Sequence, residues 1–210
     1  MLLSSSPIDL VYVFIAILLS LTLHEAMHGY VAHWLGDETP QLNGRLTLNP
    51  LKSINLMTTI ILPVVMVALG LMPILAAEPV PINPYRLKFE EFGMALVALA
   101  GPVTNLLLAV IAILILKANV ITASFLVTFL GFFVSINVLY FVFNLIPIPP
   151  LDGSRVLYAF APDSLRRVME RIESLGFISM LVILLVLIQF GGGPLQRLEI
   201  NFTNFLVRVL

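Results

Sequence analysis

The feature that most constrains this chain is a series of long apolar stretches that leave little polar sequence to cover a soluble core. Of its 210 residues, 60% are hydrophobic and only 11% are charged. A soluble domain of average composition has about 25% charged residues. Each stretch is comparable in length to the roughly 20 apolar residues that cross a bilayer as a helix. We therefore expect an all-α integral membrane protein that works in or at the lipid bilayer.

The polar composition excludes several classes of protein. The formal net charge is -1, and we see no clustered Lys and Arg residues of the kind that bind nucleic acid, so no nucleic-acid partner is expected. The chain has no cysteine, which excludes disulfide bonds and thiolate metal ligands.

We predict about four full transmembrane helices and one re-entrant or partly inserted apolar segment. The full crossings are predicted at residues 8–35, 92–116, 125–146 and 176–190. The remaining apolar segment, 54–77, contains Pro63 and Pro73 and is too short for two crossings of about 20 residues each. A single full crossing by this segment is the alternative.

Two further local structures are predicted. Residues 41–48 alternate in polarity around Asn43-Gly44, a pattern typical of a short β-hairpin or edge strand. Asp163 is placed to cap an amphipathic helix that carries several arginines and leads into the last crossing.

An H-E-x-x-H pattern lies inside the first apolar helix, at His24, Glu25 and His28. Residues four apart share a helix face, so both imidazoles could bind one metal while the glutamate addresses a water on it. His24 lies about 21 Å along the helix from Leu10, which puts the metal within the bilayer. The alternative is a polar contact between helices, although ionisable residues at such depth are costly and by default functional.

A catalytic zinc usually takes three protein ligands, so the pattern needs one more. His33 lies on the opposite helix face from the first histidine, which leaves a carboxylate. Asp9 and Asp37 lie at the two ends of the first helix. With Asp163 assigned to a helix cap, Asp152 remains, after prolines that break the preceding crossing.

Three motifs, in this order and in apolar context, resemble the site-2 protease family of intramembrane zinc metalloproteases: His24-Glu25-x-x-His28-Gly29, Ala100-Gly101-Pro102-x-x-Asn105 and Asn144-x-x-Pro147-x-Pro149-x-x-Asp152-Gly153. The similarity covers roughly residues 8–155 and is greatest to the compact bacterial and archaeal branch without regulatory domains. The resemblance implies one Zn2+ per chain, bound by His24, His28 and Asp152. It also implies Glu25 as the general base and Asn105 near the scissile carbonyl.

The sequence also suggests where substrate could bind. The predicted strand, with Asn43, Arg45 and Thr47, could pair with an extended substrate, or it could be an ordinary surface hairpin. Asn144 is a further candidate substrate contact. Asn105 could instead make a hydrogen bond that only packs helices together.

The predicted protein is a single membrane-embedded metalloprotease domain over residues 1–210, with a catalytic core at 8–155 and a C-terminal helix, span and tail at 156–210. Its predicted activity is hydrolysis of peptide bonds within or near transmembrane segments of membrane proteins, as in regulated intramembrane proteolysis. The expected partners are transmembrane substrates and the lipid bilayer; the sequence names neither the substrate nor the oligomeric state.

Most basic residues fall on the side that carries the motifs, which by the positive-inside rule is cytoplasmic. The predicted location is therefore a prokaryotic inner membrane, with the active site toward the cytoplasm. The alternatives are a transporter or metal-handling protein that uses the same His and Asp cluster, and an inactive scaffold that binds transmembrane helices.

Overall fold

The computed structural model of the protein describes residues 6–52, 79–176, 182 and 192–210. Within these ranges the chain is entirely helical apart from turns and extended connections. The described ranges form seven α-helices: α1 (Pro7–Trp34), α2 (Thr39–Leu42), α3 (Glu90–Lys117), α4 (Ser124–Asn144), α5 (Asp152–Phe160), α6 (Asp163–Ser174) and α7 (Gly192–Val209). Single 3-10 turns lie at Pro50–Lys52 and Pro84–Arg86.

Three helices, α1, α3 and α4, are long and apolar enough to cross a membrane. Their outer faces expose large apolar side chains such as Phe14, Leu107 and Phe125, an arrangement that suits contact with lipid. Between α3 and α4, a core of small and branched side chains is completed by Leu206 from α7: Ala109, Ala112, Ile113, Val134 and Val138.

The predicted β-hairpin at 41–48 is wrong, because no strand occurs in the ranges 6–52, 79–176 and 192–210. The Asn43-Gly44 pair instead ends the short helix α2. The N–H of Gly44 bonds to the carbonyl of Gln41, the N–H of Arg45 bonds to that of Pro40, and Gly44 has a φ of 64°. A left-handed glycine serves both a hairpin turn and a helix C-terminus, so the dipeptide alone does not distinguish them.

The prediction of about four transmembrane helices is also wrong for the part of the chain that the structure describes, which has three candidate spans. The predicted re-entrant segment, 54–77, lies outside the described residues, as does nearly all of the predicted last crossing, 176–190. The amphipathic helix is present as α6, but Pro162 takes the N-cap position and Asp163 is the first helical residue.

The ends of the helices decide which parts of the chain meet. Helix α1 ends where the N–H of Gly36 bonds to His33 and that of Asp37 bonds to Ala32, with Gly36 at a φ of 105°. This Schellman closure turns the chain sharply. Helix α5, which the sequence did not predict, begins at Asp152 and packs on α3, where the rings of Phe92 and Phe160 meet edge to face at 5.3 Å. The C-terminal half of α1, the N-terminal half of α3 and the start of α5 therefore meet at one side of the bundle.

Candidate metal centre

Three potential metal ligands converge at this meeting point. The Nε2 atoms of His24 and His28 lie 3.0 Å apart. Oδ2 of Asp152 lies 3.1 Å from the first and 3.4 Å from the second. Both histidines are buried, and one ligand atom from each of the three residues lies within 4.8 Å of the others.

The other ring nitrogen of each histidine is held by the neighbouring helix α3. Nδ1 of His28 lies 2.7 Å from the carbonyl oxygen of Val97, which can only accept, so Nδ1 carries the proton. Nδ1 of His24 lies 2.6 Å from Oδ1 of Asn105 and is likewise a donor. Both Nε2 atoms are therefore left with a lone pair, as a metal-ligating imidazole requires.

This donor set fits a divalent cation. Two imidazole lone pairs and a carboxylate oxygen face one another at contact distance and would repel without positive charge between them. Oδ2 of Asp152 is buried and has no hydrogen-bond donor among the described residues. Two His and one carboxylate are a ligand set found in catalytic zinc sites.

The electrostatics of Asp152 agree with this assignment. Burial alone would raise the pKa of its carboxyl group. The interaction with His28 and the contacts with both imidazoles outweigh burial and hold that pKa below its usual range. The site therefore keeps an ionised carboxylate, the form that binds a metal.

Two glycines allow the ligands to come this close. A Cβ atom on Gly101 of α3 would lie 2.5 Å from both Cε1 of His24 and Nε2 of His28. A Cβ atom on Gly153 would lie 2.3 Å from the carbonyl oxygen of Leu145, so only glycine lets α5 start against the end of α4. The first glycine leaves room for the ligands and the second brings Asp152 to them.

Glu25 is held by a different part of the chain. Its Oε2 accepts a hydrogen bond of 3.2 Å from the backbone N–H of Val80, in the extended segment 79–83. Asp37, which is fully buried, fixes this segment, because its Oδ2 accepts from the N–H of Asn83 at 2.7 Å. Its Oδ1 accepts from the N–H of Thr39 at 2.9 Å. The carboxylate of Asp37 thus ties the segment that contacts Glu25 to the end of α1.

The other predicted site residues lie in varied settings. Asn105 is fully buried beside His24. Asn43 and Thr47 make local hydrogen bonds in the turn region after α2, and Arg45 contacts the carbonyl of Lys52. Asn144, at the end of α4, donates to the carbonyl of Tyr140.

Sequence reasoning missed the groups that support the site. Val80 and Val97 act through their backbones, for which the side chain gives no signal. Asp37 is not among the predicted site residues, although a buried carboxylate needs donors and its position after Gly36 brings it to the returning chain. Asn137, an amide in the middle of an apolar run, was a usable signal, because polar groups within membrane spans are costly.

Comparisons with known proteins agree with this chemistry. The model of Peptidase family M50 matches residues 112–187. The chain is 37% identical over 186 residues to YwhC of Bacillus subtilis (strain 168), named as a zinc metalloprotease, with 84% of this chain and 82% of YwhC covered. It is 34% identical over 187 residues to Rip2 of Mycolicibacterium smegmatis, named likewise, with 85% of this chain and 70% of Rip2 covered. No solved structure gives a significant match.

The fold and the site together define a membrane protein that is a zinc metalloprotease. The chain belongs to peptidase family M50, the site-2 protease family. The predicted family, enzyme class and Zn2+ cofactor are confirmed, and the transporter and scaffold alternatives are set aside.

Proposed function

We propose that the protein is an intramembrane endopeptidase that hydrolyses peptide bonds within or near the transmembrane segments of other membrane proteins. The observation that carries this proposal is the location of the metal cluster. Two of its three ligands lie on α1, a helix long and apolar enough to span a bilayer, and they face α3, a second such helix, rather than a soluble domain.

His24, His28 and Asp152 would hold the zinc, and bound zinc supplies a Lewis acid that polarises a peptide carbonyl and activates water. Glu25 would act as the general base, taking a proton from water and passing it to the leaving amine. The hydrogen bond from Val80 fixes the orientation of the Glu25 carboxylate. A base must lie within hydrogen-bond reach of the proton that it takes, so a fixed orientation next to the histidine pair supports this role.

Asn105 was expected near the scissile carbonyl. Its Oδ1 contacts Nδ1 of His24, and its Nδ2 donates to Oδ1 of Asn137 at 2.9 Å. Both ends of the amide are therefore engaged inside the protein. These contacts favour a role in holding His24 over direct contact with the reacting carbonyl.

A helical substrate must unwind before cleavage, because the carbonyls of a helix are hydrogen-bonded. The turn region that contains Asn43, Arg45 and Thr47 is close to the metal centre, since the side chain of Leu46 packs over Gly29, the residue after His28. We expect this region and Asn144 to contact the unwound substrate.

The orientation of the protein is proposed from its charges. The C-terminal ends of α1 and α4 and the N-terminal end of α3 lie on one side of the bundle. The connections on that side carry most of the basic residues: Arg45, Lys52, Arg86, Lys88, Arg155, Arg166, Arg167 and Arg171. By the positive-inside rule this side faces the cytoplasm, in a prokaryotic inner membrane.

The experiment is cleavage of a panel of tagged single-span proteins by the purified enzyme in liposomes, with zinc content measured in the same samples. We expect Glu25→Gln to abolish cleavage while zinc remains bound, because the amide cannot accept the proton. Glu38→Gln, at an exposed glutamate beyond the end of α1, is the matched control and should cleave normally. Cleavage by Glu25→Gln would contradict the role of the base, and products cut only in soluble regions would contradict intramembrane action.

A further inference from the structure

Asn137 is a polar residue that the mechanism above does not use. It lies in α4 and is fully buried, in a helix otherwise composed mainly of apolar residues. An amide placed inside a membrane span is costly unless its hydrogen bonds are made. Its contacts therefore indicate what it does.

Those contacts run from α4 through α3 to α1. Nδ2 of Asn137 donates to the backbone carbonyl of Phe133 at 2.8 Å. Oδ1 of Asn137 accepts from Nδ2 of Asn105 at 2.9 Å. Oδ1 of Asn105 accepts in turn from Nδ1 of His24 at 2.6 Å. Three helices are thus joined by one chain of hydrogen bonds that ends on a zinc ligand.

The donor and acceptor order in this series of hydrogen bonds is set by the carbonyl of Phe133, where the series begins. The carbonyl of Phe133 can only accept, so the NH2 group of Asn137 must face it and the Oδ1 atom must face Asn105. Asn105 must then present its own NH2 group to Asn137 and its oxygen to His24. The reverse orientation of Asn105 would offer NH2 to Nδ1 of His24, which would place the imidazole proton on Nε2 and remove the lone pair from the metal.

We propose that Asn137 is a positioning residue that sets the tautomer of His24 through Asn105. The two zinc-ligating histidines are then controlled in different ways. His28 is fixed directly by a backbone carbonyl, that of Val97, whereas His24 depends on two amides in series. A weaker contact supports the same orientation of Asn105, because its Nδ2 lies 3.5 Å from the carbonyl oxygen of Ser20.

The test measures zinc affinity by chelator competition for Asn137→Leu and for a control on the same helix, Thr128→Val. Among the described residues, the hydroxyl of Thr128 bonds to the carbonyl of Ser124 in the same helix, so the control should bind zinc as the wild type does. Asn137→Leu leaves only the weaker contact with Ser20 to hold the orientation of Asn105. We expect zinc affinity to fall about tenfold, in the range known for partners of metal-ligating histidines.

A second substitution tests whether Asn137 orients Asn105 or only packs between the helices. Adding Asn105→Asp to Asn137→Leu should restore most of the lost affinity, because a carboxylate has no NH2 group and accepts from Nδ1 of His24 in either orientation. Affinity of Asn137→Leu equal to that of the control, or a double variant as weak as the single one, would overturn the proposal.

A measurement on the unmodified protein covers the case in which Asn137→Leu does not fold. The chain has three histidines, so their nitrogen-15 signals can be assigned in the zinc-loaded protein. We expect His24 to bind zinc through Nε2 with a proton on Nδ1. Zinc bound through Nδ1 would refute the proposal that Asn137 sets the tautomer of His24 through Asn105.

Discussion

Two parts of the proposed active site, the histidine pair and the proposed base, are adjacent in sequence but held by different kinds of structure. The metal half, His24 and His28, is held by groups on a neighbouring helix, Asn105 and Val97 of α3. The base half, the proposed general base Glu25, is held by a backbone N–H of the extended segment 79–83. Helix packing thus builds the candidate metal site, whereas a connection outside the helices orients the proposed base.

Because the two halves are held by different structures, substitutions should be able to impair zinc binding and the turnover rate separately. A change in the packing of α1 on α3 should remove zinc, and activity with it. A change in the segment 79–83 or in its anchor should leave zinc bound and lower the turnover rate alone.

The largest expected effect is on the metal half. Gly101→Ala puts a Cβ atom 2.5 Å from atoms of both histidines, so the ligands must separate or α3 must shift. We expect stoichiometric zinc and proteolysis both to be lost, as measured by metal analysis of the purified protein. Gly131→Ala, where a Cβ atom meets no atom of the described residues within 4 Å, is the control. Full zinc content in Gly101→Ala would show that the metal site does not depend on the packing of α1 against α3.

A smaller effect is expected on the base half. Asp37→Ala leaves the N–H groups of Asn83 and Thr39 without their acceptor and releases the segment that contacts Glu25. We expect kcat to fall between about ten- and a hundredfold, as small misplacements of catalytic groups do, while zinc content and KM change little. The matched control is Glu38→Ala at the neighbouring exposed position. If Asp37→Ala lost zinc as Gly101→Ala is expected to, the two halves would not be separate.

The smallest effect concerns the far end of α5, the helix that begins with Asp152. Arg166 of α6 bonds to the carbonyls of Ala159 and Ala161 and contacts Glu91 of α3 at 3.4 Å. Because the group is partly exposed, we expect Arg166→Met to lower the free energy of unfolding by only about 1 kcal/mol, with zinc content unchanged. Thermal unfolding in detergent measures this against Arg167→Met, at an exposed position on the same helix. A loss of zinc in Arg166→Met would show that zinc binding also depends on the contacts of α6.

Site residues of types that are rare in this chain could be predicted from the sequence. The backbone groups that support them could not. The spacing of His24 and His28 follows from helix geometry, and Asp152 stood out because carboxylates are scarce in so apolar a chain. The hydrogen bonds from Val80 and to Val97 leave no trace in residue identity, since any residue but proline carries the same N–H and every residue the same carbonyl. The hairpin was mistaken because Gly44 satisfies two backbone conformations equally well.

The order of the ligands along the chain has a consequence for biosynthesis. His24 and His28 emerge from the ribosome with the first helix, but Asp152 follows only after both α3 and α4. A nascent chain that has inserted no more than these helices therefore offers zinc two ligands of three. The three-ligand set is therefore complete only after the start of α5 has been made, so a shorter nascent chain could not form the proposed zinc site.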